Sequence, residues 1–316
     1  MLKKILITDK VHNQLPIWLE SEGFSVEYNR NVTAAEVYET LPDYFGIIVN
    51  SKIAMDQRMI QRGKSLNFIA RLGSGMEIIN ISYARAKGIR VINTPEGNCW
   101  SVAEHALGMI LALQNHLITA DKEVKNLIWK REDNRGSELR GKVIGIIGYG
   151  FTGSAFAHVL RGLQMDVLVY DKYKKSYAEQ FPWIKETDLG EIRSKADIIS
   201  FHLPLTKETR HLCNDQFIHS CKKGTIIINT SRGQVIHTPA LVKALESKHI
   251  AGACLDVFEN ESPETYNSEE VKLYKQLFNM NNVIVSPHIA GWTTESLLRI
   301  AQITLERILS NYSMEA

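Results

Sequence analysis

The chain is short of cysteine, carries no excess of either charge, and has no apolar run long enough to cross a bilayer. Each scarcity removes a class of protein. Only four cysteines occur among 316 residues, Cys99, Cys213, Cys221 and Cys254, and none belongs to a C-x-x-C pair. That excludes a disulfide scaffold and fits free thiols in a reducing cytoplasm. The one cluster with ligand chemistry is His211, Cys213, His219 and Cys221. Its spacings match no usual zinc pattern, and on a helix His219 and Cys221 point to different faces, so ordinary packing is expected and no metal. Basic residues number 37 and acidic residues 35, a net charge of +2. Such a balance offers no bulk field for nucleic acid or an anionic membrane, and neither is expected as a partner. The most apolar helical stretch, 106–113, is hemmed in by Glu104, His105, Gln114 and His116, too short to span. The opening MLKKILITDK has too brief an apolar run for a secretory signal. Repeats of solenoid length and low-complexity tails are also missing.

What is present is alternation. Short runs rich in Ile and Val recur at 4–8, 24–28, 46–49, 67–71 and 90–93, then at 143–147, 167–170, 197–201, 225–229, 252–256 and 282–286. Helix-period segments separate them, the pattern of parallel sheets covered on both faces. With 316 residues the chain has length for two domains, so the expected class is α/β with two Rossmann-like or flavodoxin-like units. A long helix is predicted over 101–129, with Ser101 as N-cap and Glu104 completing a capping box. A second, over 294–311, carries Leu297, Leu298, Ile300, Ala301, Ile303, Thr304 and Ile308 on one face. It is expected to pack back onto the first unit. That makes a discontinuous substrate domain, 1–98 with 288–316, around an inserted cofactor domain, 99–287, with a cleft between them.

The insert's first strand opens the segment GKVIGIIGYGFTGSAFAHVLRGLQMDVLVYD, residues 141–171. Gly148, Gly150 and Gly153 form a complete G-x-G-x-x-G between strand and helix, and Asp171 ends the next strand eighteen positions beyond Gly153. The first glycine allows the tight turn, the second lets backbone approach a pyrophosphate, and the third lets helix and strand pack closely. Amides at Phe151 and Thr152 then face the anion at the positive end of the helix dipole. A carboxylate at Asp171 accepts hydrogen bonds from the adenosine ribose and repels a 2′-phosphate, so NAD is expected rather than NADP. The bland alternative is a glycine-rich turn in some other α/β protein. The strand, helix, second strand and acid, all in place, argue against it.

Ligands of open parallel sheets collect at the carboxyl ends of the strands. Three late strands run there into Thr230-Ser231-Arg232-Gly233, into Val257-Phe258-Glu259-Asn260-Glu261, and into Pro287-His288-Ile289-Ala290-Gly291. Singly, each charged residue has a bland reading: a surface arginine, a solvated acid, a histidine capping the last helix. Jointly they suit hydride transfer to a 2-oxo acid. Arg232 offers a planar fork for a carboxylate and its neighbouring carbonyl. His288 exchanges a proton with the carbonyl oxygen, and Glu261 orients the imidazole and favours its protonated form.

The chain resembles the D-isomer-specific 2-hydroxyacid dehydrogenase family, which includes phosphoglycerate dehydrogenases and glyoxylate/hydroxypyruvate reductases. The matching blocks are ARLGSGMEIIN, NTPEGNCWSVAEHALGMILAL, GIIGYGFTG, INTSRGQV, ACLDVFENE and SPHIAGWT, spread over most of the chain. The resemblance implies that Arg232, Glu261 and His288 are the catalytic triad. By the same resemblance Asp256 contacts the nicotinamide carboxamide, Thr230 and Ser231 bind cofactor, and backbone amides at Ser74 and Gly75 hold the substrate carboxylate. It further implies a homodimer joined through the NAD-binding domains. Formate dehydrogenases, which are similar, carry glutamine at the triad's acid position, so Glu261 points to a substrate that exchanges a proton.

The choice of hydroxy acid turns on cations. In the phosphoglycerate branch basic side chains follow the third strand in a pattern resembling R-S-x-x, and here the segment reads Val49-Asn50-Ser51-Lys52. Asn50 replaces the arginine, while Lys52 keeps a cation nearby. Arg131 matches a basic position that in phosphoglycerate dehydrogenases reaches the partner subunit's site. The expected small-molecule substrate is D-3-phosphoglycerate, with glyoxylate or hydroxypyruvate reduction as the alternative. A chain ending at Ala316 leads one to expect no serine-sensing C-terminal domain. Two readings of another class remain: an NAD(H)-sensing corepressor that keeps the triad, against which the lack of disordered tails counts, and an inactive scaffold, against which the intact triad counts.

Overall fold

The computed structural model describes residues 2–310, and the chain divides into two compact units. One is formed by the described residues up to Asn98 and from Trp292 onward, the other by Cys99–Gly291.

The first unit starts with β1 (Lys3–Ile7), α1 (Gln14–Ser21), β2 (Phe24–Tyr28), α2 (Ala34–Thr40), β3 (Gly46–Val49), α3 (Gln57–Arg62), β4 (Phe68–Arg71), α4 (Ile81–Ala86) and β5 (Arg90–Ile92). Its strands pair in parallel in the order β2-β1-β3-β4-β5, the flavodoxin-like winding. Side chains alternate between faces along each strand. Ile5, Ile7, Ile48 and Phe68 pack with Leu15 and Leu19 of α1 on one side, and Leu6, Ile47, Val49 and Ile69 pack with Val37, Met59 and Ile60 on the other. Each such fully buried side chain contributes roughly 1.5–3 kcal/mol of transfer free energy.

The second unit contains α5 (Cys99–Gln114), α6 (Leu117–Lys125), β6 (Val143–Ile147), α7 (Phe151–Leu160), β7 (Asp166–Tyr170), β8 (Ile184–Glu186), α8 (Leu189–Lys195), β9 (Ile198–Phe201), α9 (Asp215–His219), β10 (Thr225–Asn229), α10 (Thr238–Glu246), β11 (Ile250–Leu255), α11 (Ser268–Phe278) and β12 (Val283–Val285). Seven parallel strands run in the order β12-β11-β10-β9-β6-β7-β8. The winding reverses between β6 and β9, which are hydrogen-bonded neighbours. At such a reversal the loops leaving two adjacent strands diverge and open a crevice. The chain then returns to the first unit as α12 (Thr294–Leu309), whose Ile300, Ala301 and Ile308 join the core beside α1. Its N-cap is Thr293, which accepts from the Ser296 amide in a capping box; the residue at 311, included in the expected helix, lies outside the described residues.

Three expectations are corrected. The helix over 101–129 is two helices. Ser101 lies buried inside the first rather than capping it, and α5 stops where His116 takes the left-handed conformation, φ 51°. Nothing local forces that break. The Ser137 amide donates to Gln114 O at 2.9 Å, so returning chain takes up a carbonyl that a continuing helix would need. The return to the first unit comes at Trp292, not at 288, because 288–290 is bonded to Asp256 in the second unit, as described below. Finally, β8 was not foreseen. At three residues it is too short to show a period.

Candidate active site

The glycine turn after β6 is built for a close approach. Gly148 sits at φ +97°, a region costly for residues with a Cβ, and its amide donates to Tyr170 O at 2.8 Å. A Cβ on Gly148 would run into the His202 carbonyl at the end of β9, and one on Gly153 into the Gly148 carbonyl. Gly150, by contrast, faces open space and caps α7, whose first residues are Phe151 and Thr152. Their amides are among the donors that no turn of helix satisfies. A cradle that closes on itself at two glycines and opens at the third fits a pyrophosphate. His202 lines its floor, neutral: burial pushes its imidazole down to about 3, with Ser200 Oγ 2.9 Å from Nε2.

Asp171 follows β7. Its Oδ2 accepts from the Tyr149 amide at 2.8 Å, and Oδ1 from the amides of Tyr173 and Lys174 at 2.9 and 3.0 Å. Burial alone would raise this carboxyl, but those bonds and the Lys174 charge bring it below its ordinary value. The acid is therefore ionised and ties the glycine turn to the loop after β7.

Beyond β10, buried Asn229 organises the next turn. Its Oδ1 accepts from Ser231 N and Oγ, and its Nδ2 donates to Arg232 O at 2.9 Å. The Arg232 guanidinium donates to Ser231 O at 2.7 Å. Thr230 Oγ1 is buried with no protein partner, an orphan that a bound ligand would satisfy.

Asp256, expected at the carboxamide, is wholly buried at the end of β11. Its Oδ1 accepts from Ser286 Oγ at 2.5 Å and from the Ile289 amide at 2.9 Å, and its Oδ2 from the Ala290 amide at 2.8 Å. Its carbonyl takes the His288 amide at 2.8 Å. Ser286 Oγ also lies 2.9 Å from His105 Nε2 of α5. Since the serine proton goes to the carboxylate, His105 is the donor. These bonds grip the loop on both sides of His288, which adopts the left-handed φ of 56°. That conformation costs an L residue about 1–2 kcal/mol, and four bonds to one buried aspartate offset it.

His288 and Glu261 meet: Nδ1 lies 2.7 Å from Oε2, both side chains about half exposed. Glu261 Oε1 accepts from the Phe258 amide at 3.2 Å. Burial raises the Glu261 carboxyl, but the His288 bond and charge, the Phe258 amide and the Arg232 charge together leave it below the ordinary carboxylate range. With Nδ1 donating to a carboxylate, Nε2 is the ring nitrogen that remains for a proton exchange.

Lys52 spends its Nζ on Arg30 O at 2.7 Å. Ser74 is exposed and Gly75 buried in the loop after β4, where Asn93 Nδ2 donates to Ser74 O at 3.2 Å. Both belong to the first unit, as does Lys52. Arg131 is exposed in the irregular stretch after α6. Of the four residues expected to pack rather than bind a metal, His211 bonds Glu259, His219 Nδ1 sits 2.7 Å from Asp215 O, and Cys213 and Cys221 are buried in one core cluster. Sequence reasoning missed Asn229, Ser286 and His105. The signal for the first was a lone amide closing an otherwise apolar strand; the other two had none.

Residues 107–290, more than half of the chain, match the family profile described as "D-isomer specific 2-hydroxyacid dehydrogenase, NAD binding domain". The chain is 35% identical over 308 residues to a D-3-phosphoglycerate dehydrogenase of Archaeoglobus fulgidus, covering 97% of this chain and 57% of that one. It is 35% identical over 273 residues to a hydroxypyruvate reductase of Thermotoga maritima, covering 86% of each. The crystal structure of a D-lactate dehydrogenase from Aquifex aeolicus with NAD and lactic acid superposes with a TM-score of 0.85 at 29% identity, over 98% of this chain and 96% of that one. The chain spans a little over half the length of the phosphoglycerate dehydrogenases that it matches.

Proposed function

Since the chain belongs to the D-isomer specific 2-hydroxyacid dehydrogenase family, we propose that it interconverts a D-2-hydroxy acid and its 2-oxo acid with NAD. The observation that carries this is the 2.7 Å bond between His288 and Glu261, on turns neighbouring that of Arg232. Arg232 grips the substrate carboxylate and polarises the adjacent carbonyl. His288 Nε2 delivers a proton to the carbonyl oxygen, and in the reverse direction takes it from the hydroxyl. Glu261 holds the ring and stabilises its charge. Gly148, Gly150, Phe151, Thr152, Gly153, Asp171, Thr230 and Ser231 hold the dinucleotide, which supplies or accepts the hydride when bound. In this reading Asp256 serves chiefly by holding the His288 loop. The backbone amides of Ser74 and Gly75 are the further candidates for holding a substrate carboxylate.

D-3-phosphoglycerate is the substrate we favour, with Lys52 and Arg131 as the cations for its phosphate. Six of the relatives, at 33–36% identity, are D-3-phosphoglycerate dehydrogenases. Glyoxylate or hydroxypyruvate is the second reading, and the commitment of Lys52 to Arg30 O favours it. The two separate in a comparison of kcat/KM for 3-phosphohydroxypyruvate, hydroxypyruvate, glyoxylate and pyruvate with NADH. Each charge-assisted bond to the phosphate is worth roughly 1.5–3 kcal/mol, so the phosphorylated acid should lead by at least about tenfold. Parity would select the second reading, and no turnover of any 2-oxo acid would remove both.

We also propose a homodimer through the second unit. Leu117, Ile118, Val124, Leu127, Ile128 and Trp129 are exposed together on and just after α6, with Leu127 at 96% and Trp129 at 77%. An apolar cluster of this kind marks a protein interface more often than free surface. A self-complementary patch makes a two-fold pair, and sedimentation of a monomer at micromolar concentration would dismiss it. No helix among the described residues is long and apolar enough to cross a membrane, and the four buried free thiols suit the cytoplasm as location.

A further inference from the structure

Glu259, two residues before Glu261, is absent from the proposed chemistry, yet it is bonded on every side. Its Oε2 lies 2.6 Å from His211 Nε2, and its Oε1 accepts from the amide of Thr238, the first residue of α10, at 2.7 Å. Its carbonyl oxygen takes a long bond from Gln234 Nε2, 3.4 Å. The segments that it joins are themselves stitched together. His211 N donates to Gln234 O at 2.7 Å, Cys213 N to Val235 O at 3.0 Å, and His237 N to Cys213 O at 3.0 Å. His211 holds the left-handed conformation, φ 52°, with its ring centroid 5.0 Å from that of His237.

The backbone contact beside this node is tight. A Cβ on Gly233 would fall on the carbonyl group of Phe258, with the Glu259 amide next. Gly233 follows Arg232 directly, and Phe258 closes the Glu261 turn through its amide. The guanidinium and the acid are therefore carried on two turns that touch at Gly233 and Phe258. Glu259 clasps the second turn to the far end of the first.

We propose that Glu259 is a positioning residue: bridging His211 and the start of α10, it fixes the Arg232 turn against the Glu261 turn. The inference rests on the dehydrogenase reading above for its catalytic consequence, but the geometry it claims is independent of turnover. A purely stabilising glutamate would lower the melting temperature and leave kcat intact well below it. A positioning glutamate changes kcat at constant fold, because misplacing a reacting group by about 1 Å costs on the order of 10²-fold.

The test compares Glu259→Ala, Glu259→Gln and His211→Gly in the full chain. The glutamine amide still accepts from Thr238 N and can donate to a neutral His211, so it keeps the bridge without the charge. Glycine at 211 tolerates the left-handed backbone while removing the ring, which guards against a variant that simply fails to fold. Glu259→Ala should lower kcat about 10–100-fold, and His211→Gly about three- to tenfold, with NADH affinity unchanged. Glu259→Gln should stay within about threefold of the parent. The second readout is carboxyl NMR titration of Glu261, which faces His288 and Arg232. Its midpoint should rise toward the ordinary value in Glu259→Ala and remain low in Glu259→Gln. An unshifted Glu261 midpoint in folded Glu259→Ala, or a glutamine variant as impaired as alanine, overturns the proposal. If the parent turns over no 2-oxo acid, the dehydrogenase reading fails, and the titration still decides the role of Glu259.

Discussion

Replacing His288 with alanine should lower turnover by about 10²–10⁴-fold, the range for loss of a positioned proton donor, while leaving NADH binding nearly as it was. At about 1.36 kcal/mol per decade this is roughly 2.7–5.5 kcal/mol of lost transition-state stabilisation. The expectation follows from the geometry: His288 is half exposed and bonded to one acid, Glu261, so its removal opens no cavity in the core. A backbone effect must be separated, because His288 sits in the left-handed region. His288→Asn supplies the control, since asparagine visits that region more readily but transfers no proton. Both variants should be impaired alike in turnover, and full turnover in either would falsify the proton-transfer role. The acid limb of the pH profile carries a second check. Glu261 has its carboxyl held below the ordinary 4.5, so its ionised form and the stability that it lends are complete above that value. Both are lost only as pH falls through the lower folded value. Activity that declines between pH 7 and 5 therefore has another cause than protonation of Glu261.

Much of this site is legible in the sequence, for reasons that differ from residue to residue. Strands such as Gly46–Val49 and Thr225–Asn229 stand where apolar runs place them, because a strand in a covered parallel sheet needs little more than uninterrupted burial. The glycine turn was legible because three glycines at fixed spacing answer local steric demands. Arg232 and Glu261 could be located because a parallel sheet aims the ends of all its strands at one edge. Other features depend on partners remote in sequence. Glu259 and His211 lie 48 positions apart, and His105 reaches Ser286 across 181. The helix break at His116 goes with chain that returns at Ser137 to bond Gln114 O. Asp256 shows the gap most plainly. Its place after β11 was evident, but its complete burial under the His288 loop follows from the backbone path of 286–290, on which composition and period are silent.

The glycine cradle makes the sharpest separation of folding from binding. Gly153→Ala should disrupt the second unit itself, because the added methyl meets the Gly148 carbonyl, which is backbone and cannot swing aside. Overpacking of this kind costs typically 1–3 kcal/mol and more where backbone must shift. It would part α7 from β6, and the melting temperature should fall together with NADH affinity. Gly150→Ala meets nothing, and its φ of −81° is open to any residue. The protein should fold, losing at most about 1 kcal/mol for alanine at the N-cap of α7. Its new methyl projects into the space where a pyrophosphate would approach the amides of Phe151 and Thr152, so NADH affinity should drop by about tenfold or more, equal to one lost charge-assisted bond. Fluorescence titration of NADH alongside calorimetric melting of both variants reads the two effects separately. Undiminished affinity in Gly150→Ala would mean that the dinucleotide binds elsewhere than at the N-terminus of α7, and with it the assignment of the whole cradle would be lost.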